Sequence, residues 1–429
     1  MLTSPSALIG EAQDLDKRDP LSSFRDEFCF PETEGQTPLY FAGHSLGLMP
    51  KSVPDELMAL TSDWKRYGVE GHTKGQRPWL PYHELLSPSF ARIVGAEESE
   101  VVCMNTLTVN LHLLMTSFYR PTPKRFKIIC EANPFPSDRY AFLSQARLHG
   151  YSAEDSVLEF PTTSDGLSTD PGEVMEFLKV HKDECAIVIL GHSNFLSGEA
   201  FNIERVSQFC RENDIALGLN LAHGVGNLKI ELSRWDVDFA VWCSYKYLNA
   251  GPGSLAGAYV NKRHHNNPKI PRLEGWWGQN KNTRFRMEAK FDPIPTAEAW
   301  QLSNPPILSM CAVWASMQIF EKAGFEKILD KSQKLTTYFS TLLRHRLPYI
   351  EVVTPENDPK FVRRGSMLCL KISEGQEKLI EKLSDESIYL DFRHPNIIRA
   401  TPIALYTRFE DVWRLVDRLK SLGLGEERT

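Results

Sequence analysis

Disulfide frameworks, thiolate metal sites and membrane spans leave marks that this sequence lacks. Its eight cysteines (29, 103, 130, 185, 210, 243, 311, 369) are scattered, and no two stand in a Cys-x-x-Cys pair. In a chain of 429 residues they read as reduced, mostly buried thiols, which suits a cytoplasmic protein. Neither they nor the twelve histidines show ligand spacing, so no metal is expected. No apolar run approaches the about 20 residues of a membrane span. Met1 to Ser6 has no basic stretch followed by an apolar one, so a signal peptide is not expected. An excess of positive charge is missing as well. Lys and Arg number 49 against 55 Asp and Glu, a net charge of −6, which excludes the basic footprint of a nucleic-acid binder. Internal repeats and low-complexity linkers are absent.

The composition that remains, 42% apolar and 24% charged, is that of a soluble globular protein. The length suits a large catalytic domain plus a smaller one. Residues 1–37 are polar and read as a helix with an arm, with no role assigned. Helical pattern resumes from Ser52 to Tyr67. Short apolar strands at Val101–Met104, Phe126–Cys130, Ala186–Leu190, Ala216–Leu219 and Asp238–Trp242 alternate with helices at Thr106–Tyr119, Asp138–His149 and Glu204–Asn213. That alternation predicts a parallel sheet covered on both faces, with ligands bound at the carboxyl ends of its strands. After Pro305-Pro306 come helices at Leu308–Gly324 and Ile328–Leu347. A small α+β segment then runs strand Gly365–Ile372, helix Glu374–Leu383, strand Ile388–Phe392 and helix Phe409–Leu422. The expected division is an arm (1–37), a large domain (38–305), and connecting helices with a small C-terminal domain (306–429).

One loop says most about chemistry. The strand Asp238–Trp242 delivers Lys246 into the Gly/Pro-rich run Cys243–Gly253, with tyrosines on both sides. An Ala222-His223 pair ends a strand upstream. This is the layout of a lysine that forms a Schiff base with pyridoxal 5′-phosphate (PLP), because a lysine shielded among aromatics can have the lowered pKa that a nucleophilic amine needs. Thr108, Asp138, Asn220, His223 and Lys246 all follow predicted strands and so converge on one sheet edge.

At these residues the chain resembles the kynureninase family of PLP-dependent fold-type I enzymes. The resemblance covers roughly residues 38–420. It rests on Phe41–Leu48, Gly75–Trp79, Met104–Met115, Pro121–Arg125, Phe135–Asp138, Asp238–Gly253, Ser303–Pro306 and Ile398–Pro402, all in the family's order. It implies an α/β fold like that of aspartate aminotransferase: a mostly parallel seven-stranded sheet in the large domain and a small α+β C-terminal domain. It also implies a homodimer with composite sites and a place in tryptophan catabolism, the kynurenine pathway.

Residue by residue, the resemblance makes Lys246 the Schiff-base lysine. Tyr245 becomes a phosphate contact able to assist proton transfer if nearby cations lower its pKa. Leu107 and Thr108 open a helix whose free N–H groups and dipole suit a phosphate, although a threonine there is more often only a cap. Phe135 corresponds to the aromatic stacked on the ring. Asp138 and His223 lie near the ring. Trp276 and Asn304 reach the cofactor of the neighbouring subunit, Asn304 also meeting substrate. Arg399 clamps the substrate α-carboxylate with a bidentate fork, and His72 meets the aromatic end of the substrate. For each residue the plain alternative is ordinary packing or a surface ion pair.

The chain departs from the family pattern at Asn220, where an aspartate keeps the pyridine nitrogen protonated. A neutral amide cannot stabilise that cation by charge. Asp138 is the candidate to supply the missing charge. Gly191 replaces a serine, Leu196 an aromatic and Gln301 an arginine; His44 and Trp277 are further changes. All are expected around the ring and substrate pocket. The implied activity is hydrolytic Cβ–Cγ cleavage of kynurenine or 3-hydroxykynurenine to anthranilate or 3-hydroxyanthranilate plus alanine. Two alternatives stand beside it: a diverged relative acting on a related amino acid with altered chemistry, and a homologue that has lost catalysis.

Overall fold

Seven short apolar runs pair into one sheet: β1 (Val101–Cys103), β2 (Lys127–Cys130), β3 (Val157–Glu159), β4 (Cys185–Gly191), β5 (Ala216–Asn220), β6 (Phe239–Trp242) and β7 (Gly257–Val260). The computed structural model describes residues 5–33, 35, 37–358, 361–373 and 378–424. The strand order is β1-β7-β6-β5-β4-β2-β3. β7 runs antiparallel to both neighbours, and all other pairs are parallel.

The period of two sorts the side chains onto two covered faces. Ile128, Cys130, Ile187, Ile189, Phe239 and Val241 pack on one side with Leu111, Leu114 and Trp300. Ile129, Val188, Leu190, Leu217, Leu219, Ala240 and Trp242 pack on the other. β7 begins on a glycine because the buried Trp242 ring lies across it; a Cβ at Gly257 would overlap that ring.

The helices that matter below are α1 (Pro5–Lys17), α2 (Leu107–Phe118), α3 (Pro136–Leu148), α4 (Ile307–Ala323), α5 (Phe325–Arg346) and α6 (Phe409–Ser421). α4 joins the large sheet's core through Met310, Val313 and Phe320. α5 and α6 cover a second, antiparallel sheet of β8 (Glu351–Val352), β9 (Leu368–Lys371), β10 (Asp391–Arg393) and β11 (Ile397–Ala400), ordered β8-β9-β11-β10. Its core joins Leu335, Phe339 and Leu343 to Leu368, Leu370, Ile398, Val412 and Leu415.

Three expectations change. The run Ile388–Phe392 is not one strand: Ile388–Tyr389 pairs in parallel with Leu39–Tyr40, and the chain then turns into β10. β3, β7 and β11 escape the sequence pattern because β3 is a short, half-buried edge and β7 opens on glycine after a loop. The helix expected over Glu374–Leu383 is described over Lys378–Asp385; residues 374–377 lie outside the described residues.

The N-terminal segment is tied to the small domain. Asp16 at the end of α1 accepts the backbone N–H groups of Phe409 and Glu410 at 2.8 and 3.0 Å, so it serves the α6 N-terminus. Asp19 pairs with Lys331 of α5 at 2.7 Å, both side chains buried. Asp19→Ala strands that ammonium and is expected to destabilise the fold by ~3–5 kcal/mol in denaturant titration. A loss below ~1 kcal/mol would contradict the burial argument.

Candidate active site

The parallel register brings several strand ends to one level. Gly191 at the end of β4 faces Asn220 at the end of β5, and Asn220 faces Val241 of β6. Glu131 follows β2, and the loop after β6 carries Tyr245 and Lys246. Together with the starts of α2 and α3, these ends enclose a cavity of about 240 Å³, at the sheet edge where parallel α/β folds bind ligands.

Lys246 lines this cavity, with Nζ 3.0 Å from His223 Nε2 and 6.0 Å from the centre of the Phe135 ring. Burial lowers the lysine's pKa, and it lowers that of His223 well below the usual value, helped by the nearby Lys246 charge. His223 is therefore neutral and accepts at Nε2, while its Nδ1 lies 3.4 Å from the Tyr247 hydroxyl. Tyr245 also lines the cavity. The expectation that cations lower its pKa is overturned: burial and the adjacent Cys243 thiol push it up, so the phenol is a neutral donor.

Asn220 has both ends of its amide engaged. Its Oδ1 accepts the Ala222 N–H at 3.0 Å, and its Nδ2 donates to Asp138 Oδ2 at 2.6 Å. Asp138 Oδ1 is buried with no hydrogen-bond partner among the described residues. An unpaired carboxylate oxygen on the wall of a cavity is costly unless something binds there. Burial raises the Asp138 pKa to about 6, opposed by the Asn220 bond and by Lys246. The carboxylate is thus charged at neutral pH.

Another part of the wall is an open helix start. α2 begins at Leu107 after an extended Thr106 whose side chain makes no cap bond, so the first-turn N–H groups stay free. The Thr108 hydroxyl lies 2.9 Å from that of Ser137, which sits in the first turn of α3. Phe135 stands half exposed at the cavity, edge-on to Phe195 at 5.1 Å.

Sequence reasoning missed Glu131 and Asp391. Glu131 lines the same cavity, buried, and accepts the Gly191 N–H; Asn194 Nδ2 is 3.5 Å from its other oxygen. Burial raises its pKa to about 8. No periodicity distinguishes it from any acid that ends a strand. Asp391 engages Arg399, whose Nη2 and Nε lie 2.9 and 3.2 Å from its two carboxylate oxygens. Arg399 Nη1 donates to Phe195 O at 2.8 Å. Among the described residues these bonds leave one hydrogen free on each terminal nitrogen of the guanidinium.

Trp276, Asn304, His72 and Arg399 do not line the cavity of their own chain. Trp276 is half exposed and donates to Arg284 O, Asn304 is exposed, and His72 bonds Val69 O and meets Trp79 edge-on. Of the positions expected to depart from the family pattern, only Asn220 and Gly191 stand on the cavity wall. Leu196 packs on the small sheet, because the loop after β4 crosses to it. Trp277 and Gln301 are buried beside Arg284 and Glu298, and His44 bonds Thr401 behind Arg399. His83, Glu84 and Glu298 could group around a cation. Lys281 already fills that place, 2.9 Å from both glutamates.

Residues 328–419 match the family described as Kynureninase C-terminal domain. The chain is similar to the Kynureninase of Myxococcus xanthus, 47% identical over 412 residues that cover 95% of this chain and 96% of that one. It is also similar to that of Christiangramia forsetii, 42% identical over 414 residues, 95% and 96% of the two chains. Among solved structures it resembles a mutant of C-DES with glycine covalently linked to its PLP cofactor, with a TM-score of 0.73, 16% identity and coverage of 89% and 96%. The cysteine desulfurase of Escherichia coli matches with a TM-score of 0.73, 16% identity and coverage of 94% and 98%. At these identities the structures speak for the fold alone, the PLP fold-type I architecture.

Proposed function

The chain belongs to the kynureninase family, and from that premise we propose that it cleaves kynurenine or 3-hydroxykynurenine hydrolytically between Cβ and Cγ, releasing alanine and anthranilate or its 3-hydroxy form. The reading makes it a PLP-dependent hydrolase of carbon–carbon bonds. One observation carries it: a single cavity joins an amine of lowered basicity, an uncapped helix start and an unpaired buried carboxylate oxygen. These three fit the aldehyde, the phosphate and the ring nitrogen of PLP. When bound, that cofactor supplies an electron sink for charge that develops on substrate carbon.

The protein's own groups do the rest. The free N–H groups at the start of α2, with the Thr108 hydroxyl, hold the phosphate. Phe135 would cover one face of the ring. With PLP bound, Asp138 Oδ1 would accept from the ring nitrogen, and Asn220 fixes the aspartate's other oxygen. The loss of charge at position 220 is thereby offset from a neighbouring wall, and the departure there requires no different chemistry. Lys246 Nζ takes the proton from the substrate's Cα, with neutral His223 accepting at its side. Tyr245 donates from its phenol. Arg399, steadied by Asp391, receives the α-carboxylate on its two free hydrogens.

Trp276, Asn304 and His72 find their role in a homodimer, where Trp276 and Asn304 reach across to the cofactor of the other subunit and His72 meets the aromatic end of the substrate. The half-exposed Trp276 and exposed Asn304 of the single chain support this. The setting is the cytoplasm, in tryptophan catabolism. No helix among the described residues is long and apolar enough to cross a membrane.

PLP-loaded protein mixed with kynurenine or 3-hydroxykynurenine is expected to release the corresponding fluorescent anthranilate together with an equal amount of alanine. Cofactor-loaded protein that releases neither product from either substrate would refute the assignment.

A further inference from the structure

We propose that Glu131 is a further proton-holding residue of the active cavity, seated there by the glycine at position 191. The inference rests on the reading of this cavity as the cofactor and substrate site. β2 ends at Cys130, so the next side chain leaves the sheet at the level of the ligand. A Cβ at residue 191 would lie 2.6 and 3.1 Å from the two carboxylate oxygens of Glu131. The carboxyl therefore occupies the room that a side chain at 191 would take. Gly191 departs from the serine of the family pattern, and that departure leaves the space open.

The surroundings decide which form Glu131 takes. The Gly191 N–H and Asn194 Nδ2 are its polar contacts, and both are neutral. Of the charged groups near it, Asp138 on α3 and Glu199 after β4 are acids that oppose ionisation. Glu199 is already matched by Arg363 at 2.6 Å. Lys246 favours the charged form of Asp138. Two buried carboxyls without a dedicated cation do not both ionise readily. Glu131, with its pKa near 8, keeps the proton, while Asp138, near 6, gives its own up.

At neutral pH this wall then carries one negative charge, on Asp138, and one O–H donor, on Glu131. Above pH 8 the Glu131 O–H bond breaks, the proton leaves to solvent, and a second negative charge appears in a cavity that must accept a phosphate and a carboxylate. Repulsion in that dry setting weakens anion binding. Glu131 thus sets an alkaline limit to the site.

Two measurements on PLP-loaded protein test this, with Glu131→Gln and Gly191→Ala as variants. Infrared difference spectra of protein labelled with ¹³C-glutamate are expected to show one protonated carboxyl at pH 7. That band should fade through pH 8, vanish in Glu131→Gln and shift in Gly191→Ala. The dissociation constant for PLP should weaken by about tenfold more in the wild type than in Glu131→Gln between pH 7 and pH 9. A wild type without the carboxyl band, or binding curves that depend identically on pH, would overturn the proposal. If PLP fails to bind, the reading of the cavity falls, and the infrared titration of the cofactor-free chain still decides whether Glu131 holds the proton.

Discussion

Lys246→Ala protein is expected to lose covalent capture of PLP altogether. Borohydride reduction of the loaded wild type should fix one cofactor mass on the peptide that contains Lys246, and the variant peptide should stay unmodified. Turnover should fall by ~10⁴-fold or more, the upper range for removing a proton-transfer group, because the same amine also moves the Cα proton. The geometry leaves no substitute. His223 is the nearest basic group, 3.0 Å away, and burial holds its pKa well below the usual value. Free PLP should still bind, since the helix start and Phe135 are untouched. Cofactor trapped on the variant, or turnover within tenfold of wild type, would remove the foundation of the functional reading.

Asp138→Asn should produce the second large effect, a ~10²–10³-fold loss of turnover, the usual scale for removing one electrostatic contact that acts on developing charge. The independent readout is the ring nitrogen itself. In protein loaded with ¹⁵N-labelled PLP, its resonance should report a protonated nitrogen in the wild type and an unprotonated one in Asp138→Asn. The sign follows from the titration. Asp138 is raised to about 6 by burial, so its charge is present above that pH and lost as pH falls through it. A pyridinium beside it lowers that pKa, so in loaded protein the wild-type resonance should remain that of a protonated nitrogen from about pH 6 upward to neutrality, and the variant's that of an unprotonated one. A nitrogen signal indifferent to Asp138 would sink the idea.

Asn220→Asp is not a simple restoration. It would set two carboxyl oxygens where a 2.6 Å amide–carboxylate bond now stands. Such a pair shares one proton, so in the cofactor-free protein it should titrate with an apparent pKa above 6.

Five strands of the large sheet were legible because each is a continuous apolar run between helices, and continuous runs are what a doubly covered parallel sheet demands. Lys246 was legible for a similar local reason: a lysine between two tyrosines, directly after such a strand, has few structural uses. β3 and β7 were not legible. One is three half-buried residues and the other begins on a glycine whose purpose, clearing the Trp242 ring, lies on the neighbouring strand.

The candidate site divides along the same line. Residue types and their order along the chain were enough to name the family and the cofactor, and to single out Asn220 as an expected departure from the family pattern. Whether that departure matters depended on contacts between distant segments. Asn220 meets Asp138 across 82 positions of chain, and Glu131 meets Gly191 across 60. Local pattern records what a strand or helix needs from its own neighbours. Charge, burial and the sharing of a proton are properties of the space between elements, and that space exists only once the sheet has brought its strand ends together.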